Sequence, residues 1–302
     1  MARVVCVGEV MVELSADPGG GWQLGFGGDT ANTAVHLARS GHDVAYLTAV
    51  GRDPFSQQVC TKLKAEGVDT SLILDHPTRN VGLYAISTDE AGERTFSYWR
   101  DASAAKALFD LEDVQAVLAQ AERADLLSFS LVSLAVLPAA GRRQLLDLAR
   151  RVRDNGGRVA FDGNYRSRLW ETTETAIEAR DEAIAVASIG LPTFSDEAEL
   201  SGAIDAKAVH AHWQRLGCGE VVVKLGSDGC LLPDGQHSPV PARLQPVDTS
   251  GAGDAFKGGY LAARLRGSDP AEAAKAGHAL AAWTVMRRGA IPARDPSAPY
   301  RT

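Results

Sequence analysis

No apolar run in the 302-residue chain approaches the roughly 18 to 20 residues a transmembrane helix needs, which excludes a helical membrane span. The first residues, MARVVCVGEV, pass straight into an apolar strand pattern, without the charged start, long apolar stretch and small-residue cleavage site of a signal peptide. A cytoplasmic protein is expected. Cysteine is scarce: Cys6, Cys60, Cys218 and Cys230 form no C-x-x-C pair, and Cys6 and Cys230 lie in apolar strand-like runs where a thiol behaves as a small buried hydrophobe. Reduced thiols follow. His210 and His212, two apart, fall on different faces of a helix, so no metal clip is expected there. Lysine and arginine number 31 against 38 acids, and the net charge of -7 gives no electrostatic footprint for nucleic acid or anionic lipid. There is no internal repeat, no low-complexity linker and no Walker-A sequence G-x-x-x-x-G-K-[ST]. What remains is a small-molecule partner.

Hydrophobic residues make up 45% of the chain, enough to bury a large core as one α/β domain or two smaller units. Short β-rich runs at 3–8, 43–51, 126–130, 157–164, 188–194 and 220–226 alternate with amphipathic segments such as 30–40, 55–67, 136–155 and 206–217. That alternation predicts a mostly parallel sheet with helices on both faces, and such sheets bind ligands at the carboxyl ends of their strands. The stretch 81–100 reads instead as a hairpin about a turn containing Gly92. It is expected to stand outside the main sheet as a small β flap, spanning about 79–102 and completed by about 10–27, which carries Gly19, Gly20, Gly21, Gly25 and Gly27. The Pro-rich residues after Gly289 are expected to form an irregular strap.

The stretch VDTSGAGDAFKGGYLAARL, 247–265, poses a problem, because glycine in a helix costs roughly 0.5 to 1 kcal/mol relative to alanine. Main-chain N–H groups at a helix start lack intrahelical partners, sit at the positive end of the macrodipole and bind anions. Gly251, Ala252 and Gly253 therefore read as a phosphate nest, with Ala255, Gly259 and Ala263 on one face of the helix behind it. Asp254 in the first turn could be a simple capping acid, which would not explain the glycines. Beside an anion site it reads as a general base for a hydroxyl attacking a phosphoryl group.

These residues resemble the ribokinase-like (PfkB) sugar kinases, whose D-T-x-G-A-G-D signature matches Asp248 to Asp254, with a second glycine motif in GFGGDTANTAVHLARSG, 25–41, and in VGRDPFSQQV, 50–59. The resemblance covers nearly the whole chain and implies one ribokinase-like α/β kinase domain with a β flap. The segments 92–106, 161–170 and 221–231 are similar to the branch of the family that acts on a 2-keto-3-deoxy sugar acid. It implies ATP and Mg2+, with K+ as in some relatives. The sugar-acid pocket would be lined by Gly28, Asp29, Thr30, Ala31, Asn32, Tyr84, Tyr98, Arg100, Arg166 and Asp254. Tyr98 and Arg100, two apart in a strand, share a face where a guanidinium fork can hold a carboxylate. Arg166 and Arg168 follow a strand and emerge at its carboxyl end.

On the nucleotide side the resemblance implies Asn164, Arg166, Lys224, Gly226, Ser227, Asp228, Gly229, Gly251, Gly253 and the Gly277–His278 region. By itself, Lys-x-Gly-x-x-Gly most often marks a turn between two strands. The family's Asn-x-x-Glu motif is broken here: Phe194 stands where asparagine is expected, leaving Asp196 and Glu197 for water-mediated magnesium contact. Asp248 and Ser250 would hold a monovalent cation. A neutral-sugar kinase, such as one for fructose, is the alternative. A dinucleotide oxidoreductase is disfavoured, because Phe256 stands where its fingerprint needs a small residue. A second subunit on the flap's outer face would make a homodimer or higher oligomer.

Overall fold

The computed structural model describes residues 2–17, 20–88 and 94–300. Eight short strands form the central sheet, in the order Glu220–Val221, Ile189–Gly190, Arg158–Asp162, Leu126–Ser130, Arg3–Val7, Asp43–Val50 and Val68–Asp69, with Ile73–Asp75 also pairing to Asp43–Val50. Every pairing in it is parallel. Parallel neighbours require crossovers, and helices supply them on both faces. Because strand side chains alternate, Val5, Leu47, Leu127, Phe129 and Phe161 enter one core, beneath the helices Ala139–Asp154 and Thr173–Val186. Val4, Cys6, Tyr46, Leu126 and Ala160 enter the other, beneath the helices Asp29–Arg39 and Ala252–Leu265. None of the described helices is long and apolar enough to cross a membrane.

Proline and backbone breaks correct several sequence expectations. The run 188–194 keeps only Ile189–Gly190 as strand, because Pro192 cannot donate to a ladder and a helix begins at Phe194. The run 220–226 divides: Glu220–Val221 stays in the central sheet, whereas Val223–Lys224 pairs antiparallel with Cys230–Leu231, which pairs with His237–Ser238. The segment 136–155 starts its helix at Ala139, with Pro138 as the cap residue. All four cysteines are free, and burial pushes the thiols of Cys6, Cys218 and Cys230 up to about 12. His212 Nε2 lies 3.2 Å from an Arg180 nitrogen and 3.3 Å from Asp181 Oδ1.

A separate four-stranded sheet has the order Gly21–Gly27, Met11–Asp17, Gly82–Thr88, Arg94–Trp99. The turn containing Gly92 lies outside the described residues, as does Gly19. Register puts Glu13, Tyr84 and Tyr98 on one face of this flap, and Val12, Phe26, Leu83 and Trp99 on the other.

Beyond the helix Pro270–Val285 the described chain runs to residue 300 without helix or strand and is tied across the helix Asp29–Arg39. His36 Nδ1 lies 2.8 Å from the Tyr300 hydroxyl, and Arg39 donates to the Pro292 carbonyl at 2.7 Å. The rings of Tyr300 and Trp283 meet edge to face, 5.8 Å apart between centroids. The stripe of small residues on the helix Ala252–Leu265 packs on the helix Pro270–Val285: a side chain at Gly259 would meet the Ala276 carbonyl at 2.8 Å.

Candidate active site

The helix Ala252–Leu265 is entered through Gly251, whose φ of +69° lies in the left-handed region and where a Cβ would stand 2.5 Å from that of Ala290. Both constraints require glycine for folding. No side chain caps the helix start. The Ala252 N–H is bonded to the Thr249 carbonyl at 3.3 Å, so Ala252 is a spacer rather than an anion donor, contrary to the expectation from sequence. The N–H groups of Gly253 and Asp254 follow in the first turn, where helical geometry supplies no acceptor.

Gly253 differs from Gly251. It is exposed, and a Cβ there would meet only Lys224 Nζ, at 3.8 Å. The fold has room for a side chain, and alanine would favour the helix, so what glycine protects is the space in front of the amides. Gly253→Ala is expected to leave thermal stability unchanged or slightly raised while lowering kcat/KM for the nucleotide by roughly tenfold to a hundredfold. Thermal melts and initial rates on one preparation check this, and unchanged kinetics would mean that nothing approaches these amides.

Asp254 is partly buried and accepts a hydrogen bond from Asn32 Nδ2 at 2.8 Å. Removal from water is the chief reason its carboxyl is pushed up to about 6; Asp29 and Asp162 add to the rise, while Lys257 and Asn32 oppose it. A carboxylate poised near neutrality suits a general base. Asp29 accepts from Asn164 Nδ2 at 2.9 Å, which joins the start of one helix to the end of a central strand. Of the five residues 28 to 32, Thr30 and Ala31 belong to the core, with the Thr30 hydroxyl 2.9 Å from that of Tyr46. Asp29 and Asn32 are the members whose side chains reach across the cleft. Gly28 has no room for a side chain, since a Cβ would lie 2.2 Å from the Glu9 carbonyl.

Of the residues expected to face a nucleotide, Lys224 lies with Lys257 at Asp162: the two Nζ atoms each hold one oxygen of this buried carboxylate, at 2.9 and 3.1 Å. Burial disfavours the Asp162 anion, but the two ammonium groups outweigh it and lower the carboxyl to about 2. The Lys-x-Gly-x-x-Gly segment is a turn between two strands, with Gly226, Ser227 and Asp228 exposed and Gly229 buried against the Ser238 carbonyl. Arg166 is exposed, donates to the Tyr165 carbonyl at 2.5 Å and pairs with Asp196 at 3.5 Å. Arg168 is exposed on the 167–169 turn.

Two implied roles change, and Asp248 shows a structural one. Glu197 is 1% exposed, with its oxygens held by Arg180 Nη1 at 2.8 Å and Trp213 Nε1 at 3.2 Å, so it braces the segment at Gly163 instead of facing a magnesium shell. His278 is buried, packs on Phe256 and lies 3.2 Å from the Ser238 carbonyl, which leaves little ring for an adenine. Asp248 accepts from the N–H groups of Ser250 and Gly289 at 2.8 and 2.9 Å and clasps the loop to the strap.

The flap covers the other side of the cleft. Tyr84 donates its hydroxyl to Glu13, its ring meets Tyr98 at 6.0 Å, and burial, Glu13 and, more weakly, Asp254 all push the phenol up. Tyr98 is 49% exposed, with the Arg100 guanidinium over its ring at 5.9 Å. Arg100 forms an ion pair with buried Glu9. Burial raises the Glu9 carboxyl, and Arg100 is the main influence against it. Glu9, Glu13 and Lys257 were absent from the sequence reading. The signal for Lys257 is a lone charge within the run 255–263, and for Glu13 an acid alternating with apolar residues in the flap strand.

Comparison with known proteins fits this geometry. The chain is 42% identical over 303 residues to 2-dehydro-3-deoxygluconokinase of Escherichia coli strain K12, covering 97% of this chain and 98% of that one. It is 41% identical over 299 residues to the enzyme of the same name from Dickeya dadantii, covering 96% of each. Among solved structures, a putative ribokinase II from E. coli in complex with ATP and Mg2+ superposes with a TM-score of 0.83 at 25% identity, over 96% of this chain and 95% of that one. The pfkB carbohydrate kinase model matches residues 1–297, and the chain is therefore a member of the pfkB family of carbohydrate kinases.

Proposed function

We propose that this kinase transfers the γ-phosphoryl group of ATP to the 6-hydroxyl of 2-keto-3-deoxy-D-gluconate, giving the 6-phospho sugar acid and ADP. The observation that carries the reading is the pairing of Gly253, a glycine the fold does not need, with the adjacent carboxylate of Asp254, held by Asn32 at 2.8 Å. Phosphoryl transfer is mainly positioning and electrostatics. The amides of Gly253 and Asp254 receive the transferring group, and Lys224, which lies against Gly253, balances its charge. Asp254 accepts the proton of the attacking hydroxyl. On the sugar side Glu13 and Asp29 offer acceptors to hydroxyl groups, Tyr98 covers the ring, and Arg100 offers the remaining edge of its fork to the substrate carboxylate.

Among the described residues no cluster of three or more His, Cys, Asp or Glu could hold a metal ion alone. That suits Mg2+, which keeps most of its waters and binds with the phosphates; Asp196, beside Arg166, is the carboxylate that would hold one of those waters, and the ion would neutralise phosphate charge. Cytoplasmic ATP supplies the donor. The flap's outer face presents Trp22, Leu24 and Trp99, the last 61% exposed, and suits a second copy of this chain.

An ATP-consumption assay over sugar acids and neutral ketoses tests the substrate. A preference for fructose over the keto-deoxy acid would move the reading to a neutral-sugar kinase. Because Asp254 must be ionised to act and its carboxyl lies at about 6, kcat/KM is expected to fall about tenfold per unit as pH drops below that value. A pH profile from 5 to 9 checks this, and a flat response down to pH 5 would contradict it.

A further inference from the structure

Lys257 is 1% exposed, lies one helical turn after Asp254, and is fixed by the Asp162 oxygen at 3.1 Å. A lysine can leave the interior by extending its stem, so a buried ammonium demands a reason. Asp162 alone does not supply one, because Lys224 already pairs with its other oxygen at 2.9 Å. The surroundings of Asp254 do. Asp29 and Asn32 face it from the helix Asp29–Arg39, and Asp162 from the end of its central strand. The Tyr84 hydroxyl faces it from the flap, and Lys224 lies by Gly253. With Asp29, Asp162 and Asp254 gathered at one cleft, the second cation offsets an acidic excess.

We propose that Lys257 is a positioning residue for phosphoryl transfer: anchored by Asp162, its ammonium holds the Asp254 carboxylate in the anionic form that can accept a hydroxyl proton. The proposal rests on Asp254 as the base. Lys257 does not touch the reacting atoms, and it acts through the field it places on its neighbour. The direction agrees with the ordering of influences on Asp254, in which Lys257 is the strongest that favours the anion. Lys257 in turn holds its own proton more firmly because Asp162 and Asp254 outweigh its burial.

The test compares the parent with Lys257→Met and Lys257→Arg, using saturating Mg-ATP and the best acceptor from the panel, between pH 5.5 and 9. Lys257→Met is expected to move the acidic limb of kcat/KM upward by about one pH unit or more. Activity would then fall about fivefold or more at pH 6, yet return to within a few-fold of the parent at pH 9. Lys257→Arg, which keeps the charge, should leave the limb near its parental position. A loss of equal size at every pH, or an unmoved limb, overturns the proposal and leaves Lys257 a packing residue. If the methionine variant does not fold, Lys257→Gln retains a polar head for Asp162 and is judged by the same limb. Asp254→Asn runs in parallel: normal turnover there overturns the base assignment itself, whereas an inactive Asp254→Asn beside an unshifted Lys257→Met limb overturns the Lys257 proposal alone.

Discussion

Asp254→Asn is expected to lower kcat by a factor of roughly 10² to 10⁴ with substrate binding largely kept. Asparagine preserves the shape and can still accept the bond from Asn32, so what disappears is the capacity to take a proton. The same change should make the protein more stable. Folding raises this carboxyl from 3.8 to about 6, so its ionisation weighs against the native state. That burden accumulates as pH rises from 3.8 towards 6 and is complete above it. The variant should therefore melt a few degrees higher than the parent at pH 8, with the difference vanishing below the unfolded value. Steady-state rates and melts across pH read both effects, and near-normal turnover would remove Asp254 from the mechanism.

Arg100→Ala should separate acid from neutral acceptors. A guanidinium fork facing a carboxylate in a partly closed site contributes more than an ordinary hydrogen bond, so kcat/KM for the keto-deoxy acid is expected to fall by roughly 10² to 10³. The variant also strands Glu9, which is buried and would take up a proton once its partner is gone. Any general damage from that change strikes both acceptor classes alike. The informative quantity is thus the ratio of acid to ketose turnover on one preparation. An unchanged ratio would mean that the carboxylate is bound elsewhere.

The layered sheet was legible because alternation of apolar strands with amphipathic helices is a property of short windows, and so was the helix start at 251–254, where glycines precede an acid. The flap could be read from period-2 patterning at 81–100. The sequence could not show how a side chain's hydrogen bonds are already committed. Glu197 belongs to a recognisable motif, yet Arg180 and Trp213 claim its oxygens. Asp248 is the first residue of the signature, yet two main-chain N–H groups occupy it. Thr30 and Ala31 lie in the glycine motif but point into the core because helical periodicity turns them from the cleft. Lys257 is hidden in the sequence for the opposite reason: it sits in a stretch that looks like packing, and its partner is 95 positions away.

Such separations have a consequence for how the enzyme comes into being. The bond between Asn32 and Asp254 spans 222 positions, and that between His36 and Tyr300 spans 264. Local folding of either half can make helices and strands but cannot create the setting of Asp254, because contacts between remote parts of a chain form after nearby ones. Turnover should consequently be among the last properties to return during renaturation, trailing the recovery of secondary structure.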